Sequence, residues 1–148
     1  MNIRGLRRLQ NAFPNDALLL TAAYQAKDED AWRYLVFNST TGFTITLPKA
    51  TGSGKMLEFA IGKTLSSGSN IVVTASGDFI AGGVWVAVTG GTASRIFQAN
   101  GTSNTTLTMN GGSTGGQLGD TIRYYDVLSG VWFLEGVLIG SSASSPIS

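Results

Sequence analysis

Residues 119–136 read GDTIRYYDVLSGVWFLEG, two β-strands with their turn between them. Ile122 and Tyr124 alternate with Arg123 and Tyr125, and beyond Leu128-Ser129-Gly130 follow Val131-Trp132-Phe133-Leu134. β-Branched and aromatic residues of this kind suit a pleated, half-buried surface. Gly130 is free to take the positive φ that a short hairpin loop demands. The alternation puts Ile122, Tyr124, Trp132 and Leu134 on one face, and each aromatic there can bury roughly 150–250 Å². A lone hairpin is not stable in water, so that face implies a second layer.

Outward from the hairpin, strand-like runs recur about every ten residues, the spacing of a sandwich or barrel. Trp32 to Phe37 leads through the turn cluster 38–42 into Phe43-Thr44-Ile45-Thr46-Leu47, where Phe43, Ile45 and Leu47 point inward. Pro48 ends that strand. Met56 to Ile61, Ile71 to Ala75, Val84 to Val88, Arg95 to Ala99 and Thr105 to Met109 follow, with turns at Asn100-Gly101 and Asn110-Gly111. The expectation is an all-β fold of eight or nine strands with no helix after residue 30.

Composition agrees. The chain has 148 residues with 20 glycines, 3 prolines and 13% charged residues, which reads as many short strands joined by tight turns. One domain of this length buries about two thirds of its unfolded surface and folds without disulfide or metal. Cysteine and histidine are both absent. That removes thiol catalysis, the Ser-His-Asp triad, histidine acid–base chemistry and nearly all zinc, haem or iron–sulfur ligation, so no cofactor is expected. A net charge of +1 argues against nucleic acid as partner, and no apolar run approaches the ~20 residues of a membrane span.

Residues 1–30 differ in character. Arg4, Arg7 and Arg8 precede any acidic residue, and Ile3, Leu6 and Leu9 recur at three-residue spacing, as in an amphipathic helical turn that Pro14 cannot continue. Ala17 to Ala26 fits helix or strand equally. Pro14, Asn15 and Asp16 separate the arginines from ALLLTAA and leave that run too short for a secretory signal. The expected organisation is an N-terminal arm over 1–30, a β-sandwich over 31–141 and a tail over 142–148. The arm is either a basic tail or a segment ordered against a partner, through Ile3, Arg4, Leu6, Arg7, Arg8 and Leu9.

Several patterns mimic chemistry. Thr51-Gly52-Ser53-Gly54-Lys55 invites comparison with a phosphate-binding loop, but Lys49 stands where the first glycine belongs and Met56 follows the lysine. Asn38, Asn100 and Asn104 begin Asn-x-Ser/Thr sequons, frequent by chance in so Ser- and Thr-rich a chain. Asp78, Asp120, Asp126 and Glu135 are scattered and form no catalytic pair, and Asp120 and Asp126 bracket a strand where turn bonding is expected. Trp32, Trp85 and Trp132 are either core or a sugar-binding platform, with core favoured.

TITLPKATGSGK at 44–55 and TTLTMNGGSTGGQLGDTIRYYDVLSGVWFLEG at 105–136, with the strand between, resemble the head decoration (cement) proteins of tailed bacteriophages. In that family a strand ending in Thr-Leu-Pro precedes a Gly-Ser-Gly turn, and a Thr-Leu-Asn-Gly segment leads through Gly-Asp to a final tryptophan strand. The similarity spans residues 34–137. It implies a jelly-roll-like antiparallel β-sandwich, a homotrimer, located on the capsid exterior of the virion and clamping neighbouring major capsid proteins. Two rivals stand beside it: a receptor-binding module of a tail fibre or spike, and a carbohydrate-binding or hydrolase domain with an exposed aromatic row or a carboxylate-lined cleft.

Overall fold

The computed structural model describes residues 17–91 and 93–148. Eleven strands follow one another: β1 Leu18–Leu20, β2 Tyr24–Gln25, β3 Tyr34–Phe37, β4 Thr44–Thr46, β5 Met56–Ile61, β6 Asn70–Val73, β7 Phe79–Val88, β8 Arg95–Asn100, β9 Thr106–Met109, β10 Thr121–Leu128 and β11 Val131–Gly140, with one 3-10 turn at Asp28–Asp30. They form a seven-stranded sheet ordered β1-β3-β5-β10-β11-β7-β8 and a four-stranded sheet ordered β2-β4-β6-β9. The all-β expectation holds, with a layered architecture around one core.

Strand direction departs from the antiparallel expectation. Of the nine strand pairings, five are parallel and four antiparallel. Four of the five parallel pairs come from the first half of the chain, which alternates between the sheets, and the fifth joins β7 to β11. β1, β3 and β5 lie side by side in one, and β2, β4 and β6 in the other. Each of β1 to β4 is thus followed two strands later by a parallel neighbour, so this part of the chain winds as a coil. The crossover that parallel pairing requires is supplied by a strand of the opposite sheet rather than by a helix.

This winding also corrects two boundaries. Residues 18–25 are not arm: Leu18, Leu19 and Leu20 pair with Leu35, Val36 and Phe37, and Tyr24 and Gln25 with Ile45 and Thr46. The sandwich therefore begins ahead of residue 31. Nor are residues 146–148 a free tail. Ile147 bridges to Leu107, Ser148 accepts from Thr105 and Thr106, and Thr108 donates to Pro146. This terminal segment covers the outer edge of β9, which would otherwise offer unpaired backbone to other chains.

The hairpin of 119–136 is present and longer than expected, pairing Thr121 with Val137 through Leu128 with Val131. Its inward residues Ile122, Tyr124, Trp132 and Leu134 are buried as the alternation requires. It sits in the middle of the large sheet, with β5 on one side and β7 on the other. A file of aromatic rings runs through the core from Phe43 to Phe37 (4.9 Å), Phe59 (6.4 Å), Tyr124 (5.8 Å) and Trp132 (6.5 Å between centroids). The last two contacts are edge-on, the arrangement that the ring quadrupoles favour.

Candidate functional site

Asp30, Asp78, Asp120 and Asp126 are all buried, and each accepts from at least one backbone amide. Asp126, on β10, is 1% exposed. It accepts hydrogen bonds from the amides of Thr51 (2.8 Å), Gly52 (2.7 Å) and Ser53 (3.1 Å) and from the hydroxyls of Thr51 (2.9 Å) and Ser53 (2.6 Å). Gly52 and Gly54 hold positive φ, 75° and 77°, and so let the loop curl round the carboxylate. The resemblance of 51–55 to a phosphate loop thus has a physical basis: successive amides form an anion-binding concavity. The anion it holds is the chain's own. Burial pushes the Asp126 carboxyl up, but the bonds from Ser53, Gly52 and Thr51 outweigh it and hold the pKa down to about 2.

Asp120 fastens the other end of the same strand, accepting from the amides of Gly116 (2.7 Å), Gln117 (3.1 Å) and Ile139 (2.9 Å). Here burial dominates and raises the carboxyl above its usual value, against the pull of those amides. Asp78 accepts from the Lys49 ammonium (2.7 Å) and the Ala50 amide (2.8 Å). These bonds give Asp120 and Asp126 the turn-binding role their positions suggest. Among the described residues no three His, Cys, Asp or Glu side chains gather as a metal ion would need.

The outward face of the large sheet is different. Cross-strand register aligns one residue from each of its seven strands: Leu19, Val36, Ala60, Thr121, Val137, Trp85 and Ile96. Six of the seven are apolar. Leu19, Val137, Trp85 and Ile96 are 61%, 51%, 48% and 62% exposed, so the row is a surface feature. The next row carries charge. Arg123 lies between Glu58 (Nε to Oε1, 2.6 Å) and Glu135 (Nη1 to Oε1, 3.6 Å), and the Tyr125 hydroxyl donates to Glu135 (2.5 Å). The hydrogen bond to Glu58 raises the Arg123 pKa still further, keeping the guanidinium charged.

Within this second row, level with Glu135, Gly83 leaves a gap. It pairs with Gln98 on β8 and presents no side chain. A hollow of about 430 Å³ opens there, lined by Trp85, Ile96, Thr121, Arg123, Glu135 and Val137 among others. A second of about 560 Å³ continues from it past Gln98 to Asn100, sharing Gly83 and Ile96. Glycine is required by the backbone itself, because a Cβ at 83 would stand 2.4 Å from the Phe97 carbonyl oxygen.

The tryptophans divide. Trp132 is core, its indole donating to the Pro48 carbonyl (3.2 Å), whereas Trp32 and Trp85 are about half exposed. For Trp85 the signal was in the sequence: with Val84 and Val86 inward, a strand sends residue 85 out. Trp32 left no such signal, since it sits in a turn with φ 68° and its amide donates to Met56. Ile3, Arg4, Leu6, Arg7, Arg8 and Leu9 lie outside the described residues. Neither a protein-family model, nor a curated protein, nor a solved structure matches the chain.

Proposed function

We propose that this protein is a structural virion component that binds the outside of a phage capsid and stabilises it by clamping neighbouring major capsid proteins, as a homotrimer and without catalysis. One observation carries the reading. The sequence pieces that resemble decoration proteins, far apart in the chain, meet in one place. Trp132 of the tryptophan strand donates to Pro48 of the Thr-Leu-Pro strand, Asp126 holds the Thr-Gly-Ser turn, Thr51 bridges to Ser129 and Gly130 donates to Ala50. Residues that contact one another have reason to occur together, so their joint occurrence speaks for a shared scaffold rather than for chance turn chemistry. The kinship with jelly-roll sandwiches belongs to the proposal and concerns the two-layer architecture, not the strand directions.

In this reading the capsid contact is made by the N-terminal segment with Ile3, Arg4, Leu6, Arg7, Arg8 and Leu9, which enters the sandwich at β1, an edge of the large sheet. Three copies presenting the same contact turn modest interfaces of roughly 800 Å² per partner into a durable attachment. Co-sedimentation with capsids stripped of this protein tests it. Saturable binding in fixed ratio to the major capsid protein, lost when residues 2–15 are deleted from a still-folded protein, is the expected result. Absence of binding by the full chain removes the function, and undiminished binding by the deletion removes the arm's role.

A further inference from the structure

We propose that the hollow at Gly83 is a binding site for a neutral saccharide of two or three rings, stacked on Trp85 and read by Glu135, Arg123 and Gln98. The site lies toward β8, at the edge of the large sheet opposite β1, and the inference does not rest on capsid attachment. Its shape comes first. Two connected hollows of about 430 and 560 Å³ fall within the roughly 300–1,000 Å³ typical of small-ligand sites. They form a trough rather than a closed cavity, which suits a ligand longer than one ring.

The lining selects the chemistry. Trp85 is 48% exposed although its neighbours Val84 and Val86 are buried, so the strand fixes the indole while leaving much of its surface to solvent. An aromatic side chain on a surface offers large apolar area at low entropic cost, matching the C–H face of a sugar ring. In the adjoining row of the same face stand a carboxylate acceptor, guanidinium donors and an amide that does both, the mixture a ring of hydroxyls requires. Two of these groups are already held: Arg123 by Glu58, which is 7% exposed, and Glu135 by the Tyr125 hydroxyl. Little side-chain ordering is left for the ligand to impose.

The same residues turn other ligands away. Arg123 shares its charge with Glu58 and Glu135, so the row carries one net negative charge and repels phosphate or carboxylate groups. A quaternary ammonium wants several aromatic faces around it, and among the described residues Trp85 is the one aromatic that lines the hollow.

The test is an NMR titration of the full ¹⁵N-labelled chain with maltose, cellobiose, lactose and N,N′-diacetylchitobiose, followed at the indole N–H of Trp85, assigned through Trp85→Phe. The expected result is a saturable shift of that signal with at least one sugar, at a Kd of about 1 mM or tighter, with Trp32 and Trp132 unmoved. Trp85→Ala should weaken binding at least about tenfold, and Glu135→Gln should weaken it while the amide spectrum stays folded. The proposal is overturned if no sugar moves the signal, or if binding survives Trp85→Ala. It is equally overturned if inorganic phosphate or choline binds more tightly than every sugar. Shifts that follow protein concentration instead of sugar would also overturn it and give the face to a second copy of the chain.

Discussion

Replacing Asp126 by Asn tests the claim that one buried carboxylate organises the 51–55 loop. With the native carboxyl at about 2 and an unfolded value of about 3.9, ionised Asp126 contributes roughly 2–3 kcal/mol of stability. Because the folded pKa is the lower one, this contribution is fully present above about pH 4 and fades as pH falls toward about 2. The amide loses more than charge. Its nitrogen is a donor facing a concavity of donors, so some of the five bonds from Thr51, Gly52 and Ser53 go unmade, and solvent reaches part of the loop to replace them. We expect a loss of about 3 kcal/mol at pH 7. Urea unfolding from pH 7 down to about pH 2 would show the wild type converging on the variant across the window named above. Asp120, whose raised carboxyl favours the folded state at low pH instead, is present in both proteins and cancels in the difference. A loss below about 0.5 kcal/mol at pH 7, or two pH profiles that stay parallel, would refute the reasoning.

One substitution and one truncation probe the core and the edge. Tyr124 is fully buried and its hydroxyl has no hydrogen-bond partner among the described residues, so Tyr124→Phe should keep the Phe59 and Trp132 ring contacts and raise stability by about 1 kcal/mol, read as a higher urea midpoint; a drop would point to a bound water or partner at that oxygen. Deleting residues 146–148 removes the strand-like cover of β9 and should lower stability by about 2 kcal/mol while making the protein associate through the bared edge. Light scattering and urea unfolding measure the two effects, and a truncated protein that keeps the oligomeric state and stability of the full chain contradicts the edge role.

What was legible in the sequence was whatever depends on period two. The hairpin, the inward set of β4 and the outward placement of Trp85 all follow from alternation. Strand direction does not, since parallel and antiparallel strands share the same period, and the coil of β1 to β6 was therefore invisible. β1 and β2, three and two residues long, are too short to show alternation at all. The first half of β7 was hidden by Gly82-Gly83. Gly82 sits at φ 93°, where a Cβ would meet the Leu134 carbonyl oxygen at 2.3 Å, so close backbone approach and not turn chemistry explains the pair. The apolar row and its hollow needed cross-strand register, which joins residues as distant as Leu19 and Ile96 and has no local signature.

The hairpin's place between β5 and β7 sets an order of events during synthesis. When residue 61 has been made, β5 has its neighbour β3 but an open edge on the other side, and β7 and β8 later emerge as a separate pair. Nothing joins the two parts of the large sheet until residues 121–140 arrive to lie between them. At about 5–20 residues per second the β5 edge waits roughly 3–12 s for residue 121, and from the time β7 and β8 emerge two unpaired edges coexist on one nascent chain. The stretch that reveals the fold most plainly to a reader is also the last large piece the chain itself can use.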